Sequence, residues 1–326
     1  MTTQNLHNKL IMQRAQEMGM DCNILSPGCE DFLELSYKGK SIIINKTRSH
    51  KLPFMAGLIS KNKDVSNILL DRAGLPIPKY IVLTEIDDRA LAFLNENKMV
   101  VVKPWDTNRS LGITIGIETE IELKQAIDVA KLYSDKIMIQ KYVEGFDYRV
   151  LVIDGEVVAV QEYRPPMVIG DGNSTIKQLI NQLNDDPLRR QKKEDLRPLK
   201  KIDAESDLLM FNLEKQGKKI SDILGENEKV WLFLNGNVLI GGKSFDRTDE
   251  ICIFNKELAI NAAKTLGIDV AGIDIRCKNI GIPIYEQDAG ILEVNVLPDL
   301  IDHYIPYHGQ SRDVFGAYLK YLFEDC

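Results

Sequence analysis

The stretch ILEVNVLPDL, residues 291–300, sets Glu293 and Asn295 among apolar residues that suit a buried strand. Strand side chains at i and i+2 share a face, so this carboxylate and carboxamide point the same way. An unpaired carboxylate in such a place is costly and needs a partner, often a cation. Asp274, in VAGIDIRC, is the natural companion. On an adjacent antiparallel strand it would join the other two on one face. Asp, Glu and Asn supply hard oxygen ligands, which favour Mg²⁺ and leave its other positions to water and phosphate oxygens. Spacing alone leaves a second reading open, in which Glu293 makes a structural ion pair with Arg276 or a lysine.

Other residues would complete a nucleotide site. Lys103 ends the strand MVVVK and can aim its ammonium into a cleft from a rigid element, while Lys63 stands at the start of a helix. Two lysines and a metal together neutralise a triphosphate, although any single lysine is usually a solvated surface charge. The loop WDTNRSLGI suits a phosphate cover through its backbone amides, with Gly112 its one glycine. In IMIQKYVEGFDYR the backbone of Lys141, Tyr142 and Val143 can address the edge of an adenine. Gln140 or Lys141 can contact N6 or N7, and Glu144 or Asp147 can accept from the ribose hydroxyls.

These groups need elements to hold them. The first sixty residues predict a helix near 5–18 and extended pieces around 22–25, 32–37 and 41–45. KNKDVSNILLDRAG has helical apolar spacing and Gly74 as a stop. From about 99, strands MVVVKP and ITIGI precede a helix with a capping-box start at Thr119 and Glu122. The strand KIMIQKYVEG follows, and DYRVLVIDGEVVAVQEYR is a hairpin turning at Asp154–Gly155. A second hairpin is predicted in WLFLNGNVLI at Asn235–Gly236, and Asn255 is predicted to cap the helix that Gly267 ends. The charged segment 186–201 reads as a solvated loop, or as a basic surface that attracts an acidic acceptor tail through Arg189, Arg190, Lys192 and Lys193. Strand–strand–helix–strand order with hairpins predicts an α+β chain with largely antiparallel sheets, after an α/β N-terminal part. The expected divisions are 1–75, 76–145 and 146–326.

The whole chain fits a soluble globular protein, with 44% hydrophobic and 27% charged residues in 326. A formal charge of −7 argues against a general nucleic-acid or membrane-surface binder. No apolar run approaches the ~20 residues of a membrane span, and the N-terminal helix lacks the apolar core of a signal peptide. Five cysteines, at 22, 29, 252, 277 and 326 with no CxxC, point to free thiols in a reducing cytoplasm.

In this order, NK at 62–63, VVVKP at 100–104, the loop to Gly112, QKYVEG at 140–145, Asp274, Glu293 and Asn295 resemble the ATP-grasp superfamily. KPWDTNRSLGITI, DYRVLVIDGEVVAV, VIGDGNSTIKQLINQLNDDPLR, GGKSFDRTDE and GIDVAGIDI look most like cyanophycin synthetase and the glutathione-synthetase half of bifunctional glutathione enzymes. The likeness runs from roughly 59 to the C-terminus. It implies two α+β lobes gripping ATP, preceded by a small α/β domain. It also implies Lys63 and Lys103 on nucleotide phosphates, and Asp274, Glu293 and Asn295 on two Mg²⁺ ions, with Mn²⁺ as a substitute. Gln140 stands where many relatives have Glu. Arg149, Arg164 and the GDGNST loop (170–175) lie where the family contacts phosphate or the acyl substrate. The chain departs from the family at Arg109–Ser110, where relatives have glycine, and at Leu234–Asn235, in place of an Arg–Asn pair.

The reaction so implied joins a carboxylate to an amine through an acyl phosphate, with release of ADP and phosphate. Its substrates would be amino acids or short peptides; a peptide or carrier-protein acceptor is an alternative, as is a non-catalytic nucleotide-binding protein. Arg149 or Arg276 would steady the acyl phosphate and an amide near Gly241–Gly242 the oxyanion, with the GDG loop as cover. A homodimer is a family expectation.

Overall fold

Asn5 starts the first element: its carboxamide oxygen accepts from the amides of His7 and Asn8, donors that a helix start otherwise leaves without partners. The structure is a computed structural model, and it describes residues 5–26, 28–105, 111–189 and 199–324. Helix α1 (Leu6–Glu17) leads into an antiparallel meander of β1 (Asp21–Ile24), β2 (Phe32–Tyr37) and β3 (Lys40–Asn45). Helices α2 (Phe54–Ile59) and α3 (Lys63–Arg72) follow.

Next come β4 (Tyr80–Leu83), α4 (Asp88–Asn97), β5 (Val100–Pro104), β6 (Thr114–Ile117), α5 (Glu120–Lys131) and β7 (Ile137–Lys141). They form a four-stranded sheet in the order β4-β7-β5-β6, with α5 started by the Thr119–Glu122 capping box. The hairpin of β8 (Phe146–Ile153) and β9 (Glu156–Arg164) turns at Asp154–Gly155, both at positive φ. A unit of β10 (Met167–Ile169), α6 (Ile176–Asn184), α7 (Asp207–Lys215) and β11 (Lys229–Trp231) is inserted after it, with β10 and β11 paired antiparallel. Then β12 (Lys243–Asp246), α8 (Ile253–Leu266), β13 (Val270–Cys277) and β14 (Gly290–Asn295) complete a five-stranded sheet, β12-β9-β8-β13-β14. Helices α9 (Ile301–Tyr304) and α10 (Val314–Leu322) come last among the described residues.

Strand alternation divides the five-stranded sheet between two cores. Val150 and Val152 of β8 pack with Ala259, Ala262 and Leu266 of α8 and with Ala56 and Leu70 of α2 and α3. Leu151 and Ile153, one residue out of phase, pack on the other face with Phe315, Tyr318 and Leu319 of α10 and with Leu33 and Leu35 of the meander. That second face is apolar at one end only. At its other end it carries the charged residues described below.

Three expectations are corrected. WLFLNGNVLI is not a hairpin: β11 ends at Trp231, its partner is β10, and residues 238–240 form a 3₁₀ turn. Leu232 and Phe233 are buried in the core of the inserted unit, and Gly236 lies against β9, where a Cβ would sit 2.3 Å from the Tyr163 carbonyl. Asn255 does not cap α8, which starts after Cys252. It is fully buried inside the helix, donating to the Ile280 and Ile282 carbonyls (2.7 and 2.8 Å) and accepting from the Ile284 amide (2.9 Å).

Arg189 is not a solvated charge. It is fully buried and donates to the carbonyls of Lys200 and of Gly241, the latter at 2.7 Å. Arg190, Lys192 and Lys193 lie outside the described residues. Arg189→Ala should therefore destabilise the fold by about 2–4 kcal/mol, because the buried Gly241 carbonyl and the part-buried Lys200 carbonyl lose a charged donor. Denaturant unfolding would measure it; a change within ~0.5 kcal/mol would restore the surface reading.

Candidate active site

The site is built on the β13–β14 pairing. Asp274 lies directly opposite Glu293, and Asn295 lies opposite Gly272, two residues along on the same face. Asn295 Nδ2 donates to Asp274 Oδ2 at 3.1 Å. The three oxygen-bearing side chains are thus brought together from neighbouring strands. β8 adds Arg149, opposite Asp274, whose guanidinium forks onto the carboxylate through Nε and through Nη2 at 2.8 Å. Burial raises the Asp274 pKa; the charge and hydrogen bonds of Arg149 oppose this, and Glu293 adds to it. For Arg149, burial disfavours the charge, but Asp274 and its neighbours outweigh it and hold the pKa above the ordinary arginine value.

The lysines approach from two other elements. Lys103, buried on β5, donates to Gln140 Oε1 of β7 at 2.9 Å. Its pKa is lowered to about 8, by burial first and then by the like charge of Lys63, with Glu293 acting in the opposite sense. Lys103, on the four-stranded sheet, therefore senses both Lys63 on α3 and Glu293 on the five-stranded sheet. A small open pocket between α3 and β14 is lined by Lys63, Ser66, Asn67 and Glu293. Gln140, which receives Lys103, keeps its Nε2 buried without a hydrogen-bond partner, a donor left for something else.

The connector after β7 is held by Arg276. Its Nε donates to the Val143 carbonyl (2.6 Å), Nη1 to Asp147 (2.7 Å), and Nη2 to the Tyr142 hydroxyl and the Leu234 carbonyl (both 3.0 Å). This removes the alternative in which Arg276 neutralises Glu293, and it also corrects the expectation that Arg276 faces an acyl phosphate. The Lys141 amide bonds the Lys79 carbonyl and the Tyr142 amide the Met99 carbonyl (2.8 and 3.0 Å), while Lys141 Nζ reaches Asp288 (2.7 Å). Of the two acids suggested for a ribose, Asp147 is fixed by Arg276 and Glu144 is exposed on Lys278.

Other predicted residues fall elsewhere. Arg164 points to the opposite face of the sheet from Arg149. It pairs with Glu162 (2.6 Å) and stacks between Phe146 and Phe245. Gln161 is the β9 residue opposite Arg149, and Arg164 lies three positions further along β9, an odd step that puts it on the other face. Gly241 and Gly242 do not offer an oxyanion amide, because their N–H groups bond Val238 and Asn237 carbonyls. Within GDGNST, Asp171 accepts from the Ser174 hydroxyl and from the Ser174 and Asn173 amides, which lowers its pKa to about 2. Thr175 then opens α6 with a capping box. Gly112 has φ +72 and a Cβ there would lie 2.6 Å from Tyr133 Cδ2 and 2.7 Å from Pro104 Cγ, so only glycine fits. Arg109 and Ser110 lie outside the described residues. The sequence reading passed over Gln161 and Gly272, each of which breaks an apolar strand pattern.

Magnesium fits this donor set. Among the described residues no group of three or more His, Cys, Asp or Glu could hold a metal ion, and the site offers two carboxylates and a carboxamide. Such a set suits an ion that completes its shell with water and phosphate oxygens. Among the described residues no helix is long and apolar enough to cross a membrane.

Residues 69–171 match the family described as D-ala D-ala ligase C-terminus. The chain is 33% identical over 315 residues to cyanophycin synthetase of Trichormus variabilis, covering 96% of this chain and 34% of that protein. It is 33% identical over 322 residues to the glutathione biosynthesis bifunctional protein GshAB of Clostridium perfringens, covering 98% and 41%. The chain thus spans less than half the length of these curated relatives. The crystal structure of a bifunctional glutathione synthetase from Pasteurella multocida superposes with TM-score 0.69 at 29% identity, over 98% of this chain and 44% of that one. D-alanine–D-alanine ligase from Bacillus anthracis shares the fold, with TM-score 0.51 at 17% identity over 84% and 69%. With its antiparallel α+β sheets, the chain has the ATP-grasp fold.

Proposed function

We propose that the chain is an ATP-dependent carboxylate–amine ligase that forms an amide bond through an acyl phosphate, releasing ADP and phosphate, with amino acids or short peptides as substrates. The observation that carries this is the meeting of Asp274, Glu293 and Asn295 on one face, with Lys63 lining the same pocket as Glu293 and Lys103 close enough to feel both. Phosphoryl transfer asks for positioning and charge neutralisation more than for a protein nucleophile, and this site has cations and metal ligands. Asp274, Glu293 and Asn295 would hold two Mg²⁺ ions, for which Mn²⁺ would substitute. Bound there, the ions would neutralise phosphate charge and align the phosphates.

Lys63 and Lys103 bind phosphate oxygens in this reading. Gln140, through its unpartnered Nε2, and the Lys141–Val143 connector face the base, and Asp147 faces the ribose. Gly112 shapes the phosphate loop. Arg149, in front of Asp274, steadies the acyl phosphate while the amine attacks. A cytoplasmic homodimer belongs to the same reading. The test is an ADP-release screen over pairs of amino acids with the product mass measured. ADP release that needs both acid and amine supports the ligase; nucleotide binding without turnover over the whole panel would overturn it in favour of a binding protein.

Lys103 gives this reading a pH signature. Its ammonium is the phosphate-binding form, and in the free protein it is lost as pH rises through about 8. kcat/KM for ATP, which reports the free enzyme, should fall about tenfold per unit above that pH. Lys103→Met should remove the step along with most of the activity. For folding the sign is opposite: the unfolded lysine keeps its proton up to its ordinary 10.5. Stability from this group therefore rises between about 8 and 10.5.

A further inference from the structure

One row of polar side chains crosses the whole five-stranded sheet. Asp246 stands opposite Gln161, Gln161 opposite Arg149, Arg149 opposite Asp274, and Asp274 opposite Glu293. Directly opposed residues share a face, so the carboxylate pair is one end of this row. Asp246 is held by Arg312 (3.0 and 2.6 Å) and Thr248 (2.5 Å), and Arg149 by its fork onto Asp274. Gln161, between them, is 0% exposed, and neither its Oε1 nor its Nε2 has a hydrogen-bond partner. Buried amides nearly always find partners. One left open opposite a guanidinium offers that cation a second acceptor.

The second observation is Gly272, in the middle of β13, a position where glycine weakens a strand and commonly marks a close approach. A Cβ there would lie 2.8 Å from Arg149 Cδ and 3.0 Å from Pro298 Cβ. The missing side chain leaves the room in which the Arg149 side chain lies against β13 to reach Asp274. A carboxylate gripped on both oxygens by a guanidinium must share or release them before it can ligate a divalent ion.

We propose that Gln161 and Gly272 are positioning residues for Arg149: Gly272 lets the guanidinium lie on Asp274, and Gln161 Oε1 receives its N–H when Asp274 turns to a divalent cation. Arg149 is thereby kept charged and oriented in both states, and Asp274 is never left as a lone buried charge. This rests on the nucleotide-and-metal reading of the site.

The test follows the rise in melting temperature that ATP produces as Mg²⁺ is titrated into the full chain. Gln161→Met, similar in volume and without polar atoms, should melt no lower than wild type, because an unpartnered amide is removed. Its half-saturating Mg²⁺ should nevertheless rise roughly tenfold, since Arg149 has no second seat and competes for Asp274. A merely structural glutamine would move the melting temperature and not the Mg²⁺ requirement. Gly272→Ala should shift both readouts in wild type and neither in an Arg149→Ala background. Equal effects in both backgrounds would point to crowding of Pro298 and overturn the role of Gly272. A wild type that responds to Mg²⁺ and ATP while Gln161→Met matches it overturns the role of Gln161 alone. A wild type with no Mg²⁺-dependent response sinks the nucleotide site and this inference together.

Discussion

Glu293→Gln should leave the protein folded and lower ATP turnover by on the order of 10³-fold or more, the several kcal/mol that a metal-held phosphate charge contributes to such a transition state. The swap keeps shape and removes one charge. Glu293 is half-exposed on β14, at the edge of its sheet, and its like charge pushes the opposite Asp274 towards protonation. The melting temperature should accordingly stay level or rise slightly. Loss of activity with retained stability separates a ligand from a structural ion-pair partner, whose loss would do the reverse. Steady-state ADP release and a thermal melt, run on the same preparation, measure both. Turnover at the wild-type rate would remove Glu293 from the metal site.

Arg276→Ala should act the other way, on stability and nucleotide affinity. Four hydrogen bonds tie this guanidinium to Val143, Asp147, Tyr142 and Leu234, so it joins β13 to the connector and to the inserted unit. Its removal leaves two carbonyls without their charged donor and Asp147 without a partner. Removing one partner of a buried pair costs roughly 3–5 kcal/mol; Asp147 keeps some contact with water, which places the expected loss near the lower end, about 3 kcal/mol. KM for ATP should rise strongly, because the Lys141–Val143 backbone loses its brace, while kcat at saturating ATP changes less. Lysine should not rescue it, since no ammonium reproduces a planar fork over these acceptors. A fall in kcat with KM for ATP and stability unchanged would return Arg276 to the reacting phosphate, the role that position alone suggested.

The contrast between these residues shows where local pattern stops being informative. Glu293 and Asn295 were legible because period-2 alternation fixes their common face without any knowledge of the neighbouring strand. The same holds for the Thr119–Glu122 capping box, the Asp154–Gly155 turn and the helix that Lys63 begins, all set by interactions within a few residues. Arg149 and Arg164 were both plausible beside phosphate, and only the pairing of β8 and β9 decided that they lie on opposite faces. Asn255 and Asn235–Gly236 carried good local signals for a cap and a turn. Tertiary contacts overrode both, through buried carbonyls in one case and close backbone packing against Tyr163 in the other.

By itself, then, the sequence determined the kinds of element, the family resemblance, and the face shared by carboxylate and carboxamide, because each is written in neighbouring residues. Only the tertiary structure decided that Asp274 meets Glu293 and Arg149, that Arg276 braces the connector, that Arg189 is buried, and that Gln161 sits unpartnered between two committed charges. Those facts depend on register between strands far apart in the chain. Register is set by how whole faces bury against α8 and α10, which no short window of residues contains.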